Sequence, residues 1–308
     1  MKIVVIGLGI QGKKRIKFLK KELVATVDPF NKKADYRDIK DINLKKFNTV
    51  FICTPDDEKY KIIYYCLKNK KNVLVEKPLW ASNLGKIKFL EKLAIKNKVK
   101  LYVAYNHRFE PHFLEMKKLI SSKKLGKIYS CRMFYGNGTA KLIKNNSWRN
   151  KGSGVLTDLG SHLLDICKMW FGNNIGKFKL ISANKFENSS FDHAAISNNS
   201  KRFWIELEMT YCMWRNHFTC DVLGEKGSAH IESLCKWGPS KFTYRKRVFP
   251  SGLPIEKKKV IKRKDNTWKD EYTYFKTLVA QKDKTNLTND LWIYSEISKI
   301  FNKTQKST

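Results

Sequence analysis

Between an apolar run, Lys2–Ile6, and an amphipathic stretch, Gln11–Lys20, stands the hexapeptide Gly7-Leu-Gly9-Ile-Gln-Gly12. A G-x-G-x-x-G spacing at a strand-to-helix junction serves one geometry well. The glycines permit a tight turn, close approach of backbone to a pyrophosphate, and close packing of helix on strand, with the phosphates at the helix N-terminus. The spacing alone is common enough to arise by chance; its place after a first strand and before a first helix is what constrains the fold. Gly7, Gly9, Ile10, Gln11 and Gly12 are therefore the candidate cofactor cradle. Asp28 follows the next apolar run, 21 residues beyond Gly7. An acid there accepts hydrogen bonds from ribose hydroxyls and repels a 2′-phosphate, which favours NAD over NADP. Lys32 and Lys33 close by work in the other direction, so NADP is the less favoured cofactor rather than an excluded one.

The first hundred residues alternate two periods. Short runs of β type fall at Lys2–Ile6, Leu23–Val27, Thr49–Cys53, Asn72–Val75 and Lys100–Ala104. Helical periods fall at Gln11–Lys20, Asp57–Asn69 and Ser82–Asn97, with only a weak turn near Ile42–Phe47 between the second and third strands. This alternation predicts βαβ units and a doubly wound parallel sheet, an α/β Rossmann domain over residues 1–107. Thr54, Pro55, Glu76 and Lys77 follow predicted strands, at the carboxyl edge where open α/β sheets bind ligands.

Beyond residue 108 the pattern changes. Helices are predicted at Pro111–Ser121, Gly154–Phe171, Trp268–Gln281 and Leu291–Phe301. Strands are predicted at Lys127–Tyr135, Phe178–Ala183, Phe203–Thr210, Phe218–Leu223, Ala229–Glu232, Phe242–Val248 and Lys257–Lys262. Many strands and few helices predict an α+β domain over 108–308, built on a mostly antiparallel open sheet.

Composition excludes several classes. At 308 residues with 42% hydrophobic and 13% aromatic content, the chain has material for a sizeable core. No apolar run reaches the roughly 20 residues of a membrane span, and Met1–Ile10 lacks the form of a signal peptide. A soluble cytoplasmic protein with no membrane partner is the expectation. The seven cysteines are odd in number and include no Cys-x-x-Cys, so neither a disulfide framework nor a metal site is expected. His107 and His112, five apart, have no third ligand in their segment.

A net charge of +34 invites a nucleic-acid reading, but of 62 basic residues 52 are Lys and only 10 Arg, spread along the whole chain. Arginine is the residue suited to gripping phosphate and stacking on bases. No specific nucleic-acid partner is expected.

The segment Gly152-Ser-Gly-Val-Leu-Thr-Asp158-Leu-Gly-Ser-His162-Leu-Leu-Asp165 carries the second constellation. At 3.6 residues per turn Asp158, His162 and Asp165 share a face beside an apolar one made by Val155, Leu159, Leu163 and Ile166. A carboxylate and an imidazole one turn apart suit proton transfer; the same residues also suit a plain helical Asp–His pair.

Taken in order, GLGIQG at 7–12, CTP at 53–55, EKPL at 76–79, YNHRFEP at 105–111 and GSGVLTDLGSHLLD at 152–165 resemble the Gfo/Idh/MocA oxidoreductases, among them glucose–fructose oxidoreductase and inositol dehydrogenase. The resemblance implies NAD-dependent hydride transfer to or from a carbinol carbon of a sugar, cyclitol or nucleotide-linked sugar, and a homodimer or homotetramer formed through the C-terminal sheet. It places Lys77 near nicotinamide and substrate, has Asp158 bind or polarise substrate, and makes His162 the general acid/base. Thr54, Pro55, Glu76 and Asn106 would line the cofactor site, with Arg108, Trp148 and Arg149 toward substrate. Alternatives are a relative that cleaves glycosidic bonds through transient oxidation, and an NAD-binding regulatory protein without catalysis. The chain departs from the family at Ser153, where Gly is common, and at Lys59, where a His is often found.

Overall fold

The computed structural model describes residues 1–146, 149–262, 264–281 and 283–305. They divide into two compact units: Met1–Asn106 with Trp268–Ser295, and His107–Thr267 with Glu296 onward.

In the first unit five strands, β1 (Ile3–Ile6), β2 (Leu23–Val27), β3 (Thr49–Ile52), β4 (Asn72–Glu76) and β5 (Leu101–Ala104), form an all-parallel sheet in the order β2-β1-β3-β4-β5. Helices α1 (Ile10–Leu19), α2 (Asp56–Lys68) and α3 (Leu84–Lys96) make the crossovers. Two single 3₁₀ turns, Ile39–Asp41 and Leu44–Lys46, replace a helix between β2 and β3. Strands buried on both faces explain the unbroken apolar runs such as Ile3-Val-Val-Ile. The strand order reverses direction between β1 and β3, the crevice where such sheets take ligands.

The second unit holds an eight-stranded sheet, order β13-β12-β11-β10-β6-β9-β8-β7. Its strands are β6 (Ile128–Gly136), β7 (Phe178–Asn184), β8 (His193–Asn198), β9 (Trp204–Thr210), β10 (His217–Gly224), β11 (Gly227–Glu232), β12 (Ser240–Val248) and β13 (Gly252–Ile261). Only the β6–β9 pair is parallel. The helices are α4 (Pro111–Ser121), α5 (Ala140–Lys144), α6 (Val155–Asp158) and α7 (Gly160–Phe171). At Gly160 a Cβ would stand 2.9 Å from Met209 Sδ, so the missing side chain lets α7 close onto β9. Two helices, α8 (Thr267–Ala280) and α9 (Thr288–Gln305), close the chain.

Three features differ from the sequence reading. Residues 268–295 pack with the first unit rather than continuing one domain from 108: Tyr272 and Phe275 of α8 meet Phe51 of β3 edge-on, each with ring centroids 5.8 Å apart. The helix expected over Gly154–Phe171 is two helices, because the backbone tightens after Leu159, where the His162 N–H donates to the Leu159 carbonyl three residues back. Strand β8 and helix α5 have no counterpart in the reading. His-Ala-Ala-Ile-Ser-Asn has little β preference of its own and is held by pairing with β7 and β9.

Candidate active site

In the first unit the glycine loop is built as its spacing requires. Gly7 has φ +91°, and a Cβ there would lie 2.6 Å from the Cys53 carbonyl oxygen of β3's exit. At Gly12 a Cβ would collide with the Gly7 carbonyl, which fixes the close approach of α1 to the loop. A Cβ at Gly9 would meet nothing within 4 Å, and no side chain caps the N-terminus of α1. Open backbone at an uncapped helix start is a cradle for phosphate. Ile10 is exposed at the first position of α1.

The Asp28 carboxylate accepts N–H bonds from Leu8 at 2.8 Å, Phe30 at 3.0 Å and Asn31 at 2.9 Å. Burial raises its pKa, but these three donors and Arg37 outweigh it and hold the carboxyl below its ordinary value. Asp28 thus braces the loop and stays anionic beside it. The Thr54 hydroxyl, at the exit of β3, is buried with no hydrogen-bond partner in the structure. Such a group suits contact with a bound molecule. These residues fit a dinucleotide.

Glu76, expected to line the cofactor, ends β4 in a charge network. Its carboxylate takes the Arg15 guanidinium, 2.9 Å from Nε and 2.8 Å from Nη2, while Glu271 of α8 holds the same Nη2 at 2.7 Å. Burial disfavours the Arg15 charge; the two carboxylates more than offset it and keep its pKa raised. Arg15 also lies over the Trp268 ring, 4.5 Å from its centroid.

Lys59 is buried too. Its Nζ donates to the carbonyls of Glu76 at 2.7 Å and Pro78 at 3.1 Å and pairs with Asp56 at 2.6 Å. It clamps the backbone on either side of Lys77, which follows β4; Asn106, buried, follows β5. Pro55 is the N-cap of α2.

In the second unit Gly154, φ +49°, turns the chain into α6, and a Cβ there would collide with the Phe191 carbonyl. Asp158 ends α6. Its Oδ2 is 2.6 Å from Arg149 Nη2 and accepts the Tyr211 hydroxyl at 3.1 Å. Burial pulls the Arg149 pKa down, and Asp158 and Tyr211 bring it to a net rise. Burial and the Asp158 charge push the Tyr211 hydroxyl well up, so it stays a neutral donor.

His162 follows Asp158 by one turn. The structure places the His162 ring in a stack with His107, centroids 4.0 Å apart and planes at 22°. Asp165 is buried and takes Arg108 through two nitrogens, Nε at 2.8 Å being the longer-ranged anchor of a two-pronged pair. That pairing gives Arg108 a structural partner on α7. Arg149 joins Asp158; Trp148 lies outside the described residues. Sequence reasoning missed Arg15, Lys59, Tyr211 and Glu271 as parts of these networks. Only Lys59 carried a signal, as a departure from a family pattern.

Among the described residues no group of three or more His, Cys, Asp or Glu could hold a metal ion, and no helix is long and apolar enough to cross a membrane.

Comparison with known proteins gives the class. Residues 1–105 match the family model "Oxidoreductase family, NAD-binding Rossmann fold", and residues 113–230 match the GFO/IDH/MocA C-terminal domain. The chain belongs to the Gfo/Idh/MocA oxidoreductase family, and its first unit carries that family's NAD-binding Rossmann domain.

It is 32% identical over 126 residues to scyllo-inositol 2-dehydrogenase (NADP(+)) of Bacillus subtilis, covering 40% of this chain and 34% of that one. It is 32% identical over 110 residues to glucose-6-phosphate 3-dehydrogenase of the same organism, covering 34% and 31%. The matches thus span about a third of the length of these curated relatives. Among solved structures, levoglucosan dehydrogenase in complex with NADH superposes with a TM-score of 0.82 at 17% identity, over 99% of this chain and 96% of that one. An oxidoreductase from Desulfitobacterium hafniense described as NADPH-dependent and putative gives 0.85 at 17% identity, over 99% and 95%. At that identity the likeness is one of fold.

Proposed function

We propose that the chain catalyses reversible NAD-dependent hydride transfer at a carbinol carbon of a sugar, cyclitol or nucleotide-linked sugar, with Lys77, Asp158 and His162 as catalytic residues. The observation that carries this reading is the end of α6. There a carboxylate, Asp158, is held by Arg149 and Tyr211 yet remains 28% exposed, one turn before His162. Inositol and sugar-phosphate dehydrogenases among the relatives support the substrate class.

The nicotinamide, when bound, supplies the hydride acceptor or donor. Gly7, Gly9, Ile10, Gln11 and Gly12 would hold its pyrophosphate, Asp28 the ribose, and Thr54, Pro55, Glu76, Lys77 and Asn106 the remainder. Oxidation of a hydroxyl requires its oxygen to lose a proton as the carbon loses hydride, and a base within hydrogen-bond reach must receive it. His162 takes that proton and returns it in reduction. Lys77 sets a positive charge against the developing alkoxide. Asp158 accepts a hydrogen bond from a substrate hydroxyl and fixes its orientation. The Asp28 carboxylate prefers NAD, whose ribose hydroxyls it can accept, to NADP.

The test is a panel of cyclitols, sugars, sugar phosphates and nucleotide-linked sugars with NAD and with NADP, read by absorbance of the reduced nicotinamide. Reduction of NAD by one or more of them is the expected result. No turnover with any, despite measurable NADH binding, would favour a regulatory protein and sink the proposal.

A further inference from the structure

His107 and Lys236 lie 129 residues apart in the chain and meet beside His162. We propose that they form a cationic brace that keeps the His162 imidazole unprotonated near neutral pH; this rests on the reading of His162 as the base. His107 is buried in the 3₁₀ turn Asn106–Phe109. Its ring stacks on His162 at 4.0 Å, and its Nε2 is 3.3 Å from Lys236 Nζ. An ammonium has only donors, so His107 Nε2 is the acceptor, and the ring is neutral with its proton on Nδ1. Protonating His107 would break that bond and bring two cations together.

A proton on His162 would place a cation against this stack, with the Lys236 charge behind it, in surroundings of low dielectric. Lys236 is held in place by its own neighbours. It lies 4.7 Å from the Trp237 ring centroid, and Trp237 packs on Tyr135 at 5.8 Å. Tyr135 in turn touches both imidazoles, at 5.6 Å from His107 and 6.3 Å from His162.

Asp158, one turn from His162, is paired to Arg149 and accepts the Tyr211 hydroxyl. Asp165 is paired to Arg108. Burial, joined by the charges of Asp158 and Glu110, pushes the Tyr135 hydroxyl up, so it stays neutral. Glu110 accepts the Cys235 N–H at 3.0 Å; burial pushes its carboxyl up, against that donor and Lys236, and so weakens its hold on a proton-free state. A base that is already unprotonated at the working pH can accept a hydroxyl proton without first shedding its own. The stack also fixes which edge of the ring is offered.

The test is a histidine-labelled NMR titration of the protein loaded with NADH, from about pH 5 to pH 9, with the His162 signal assigned by its loss in His162→Ala. The wild-type ring should titrate below the ordinary histidine value of about 6.5. In Lys236→Met the midpoint should rise by roughly half a unit or more, and Lys236→Arg should keep it low. NADH affinity, read by fluorescence, should be the same in all three. A His162 midpoint at the ordinary value, or one that Lys236→Met leaves in place, would overturn the brace. Whether His162 is the base is read separately, from turnover of His162→Ala, so the two failures are distinct.

Discussion

In the first unit Arg15 and Glu271 keep 1% and 0% of their side-chain surface exposed, and Lys59 keeps 2%. In the second, Arg149 and Asp158 keep 31% and 28%. Both networks join charges beside candidate site residues, yet they differ in exposure. The first is closed: every charge it contains serves backbone or another charge, fixing the strand ends around Lys77 and locking α8 to α1. The second is partly exposed: its carboxylate is anchored by Arg149 and Tyr211 and still keeps 28% of its surface open.

The largest expected effect tests the closed network. Arg15→Met strands Glu76 and Glu271 as buried anions, and should cost about 3–5 kcal/mol, the usual result of removing one partner of a buried pair. Arg149→Met, in the half-exposed pair, should cost about 1 kcal/mol or less while lowering turnover. Denaturant unfolding of both variants checks this. Equal losses of stability would erase the distinction between the two networks.

A smaller effect sharpens the same contrast inside the first unit. Gly12→Ala drives a Cβ into the Gly7 carbonyl and should cost about 1–3 kcal/mol, as overpacking does. Gly9→Ala meets open space and should change stability by no more than about 0.5 kcal/mol. It should nonetheless weaken NADH, because the added methyl fills the approach to the helix N-terminus. Thermal melts beside NADH titration separate the two. A Gly9→Ala protein that binds NADH as tightly as the wild type would move the phosphate elsewhere.

How much of this could be read from the chain follows from the range of the interactions. The glycine loop, Asp28 and the alternating strands were legible because each depends on neighbours within one βα unit. Arg15 was not. In the sequence it is one more cation in the run Lys13-Lys-Arg-Ile-Lys, and its burial depends on Glu76 and on Glu271 near the end of the chain. The Asp158–His162 spacing was legible as helical period, whereas the ring that His162 stacks on comes from a separate segment. Strand β8 escaped because its residues acquire strand character only from the partners on either side.

The smallest expected effect concerns pH. His112 packs against Phe242 with its Nε2 3.2 Å from the Ser240 carbonyl. Burial lowers its pKa more than Ser240 and Glu115 raise it. The fold therefore prefers neutral His112, and the stability this contributes is present above about pH 6.5, the value in an unfolded chain. It is lost as pH falls below that. The melting temperature should drop between pH 7.5 and pH 5.5, and His112→Phe, which keeps the ring packing, should flatten part of that slope. An identical slope in the variant would remove His112 from the account.

The proposed division of labour, in which the first unit binds NAD and the second moves the proton, is tested most directly by His162→Ala, measured for NADH affinity and for turnover in the same preparation. The account expects affinity to be unchanged and turnover to fall by roughly 10²–10⁴, the scale of a lost general base. Near wild-type turnover in that variant, with NADH bound as before, would contradict it.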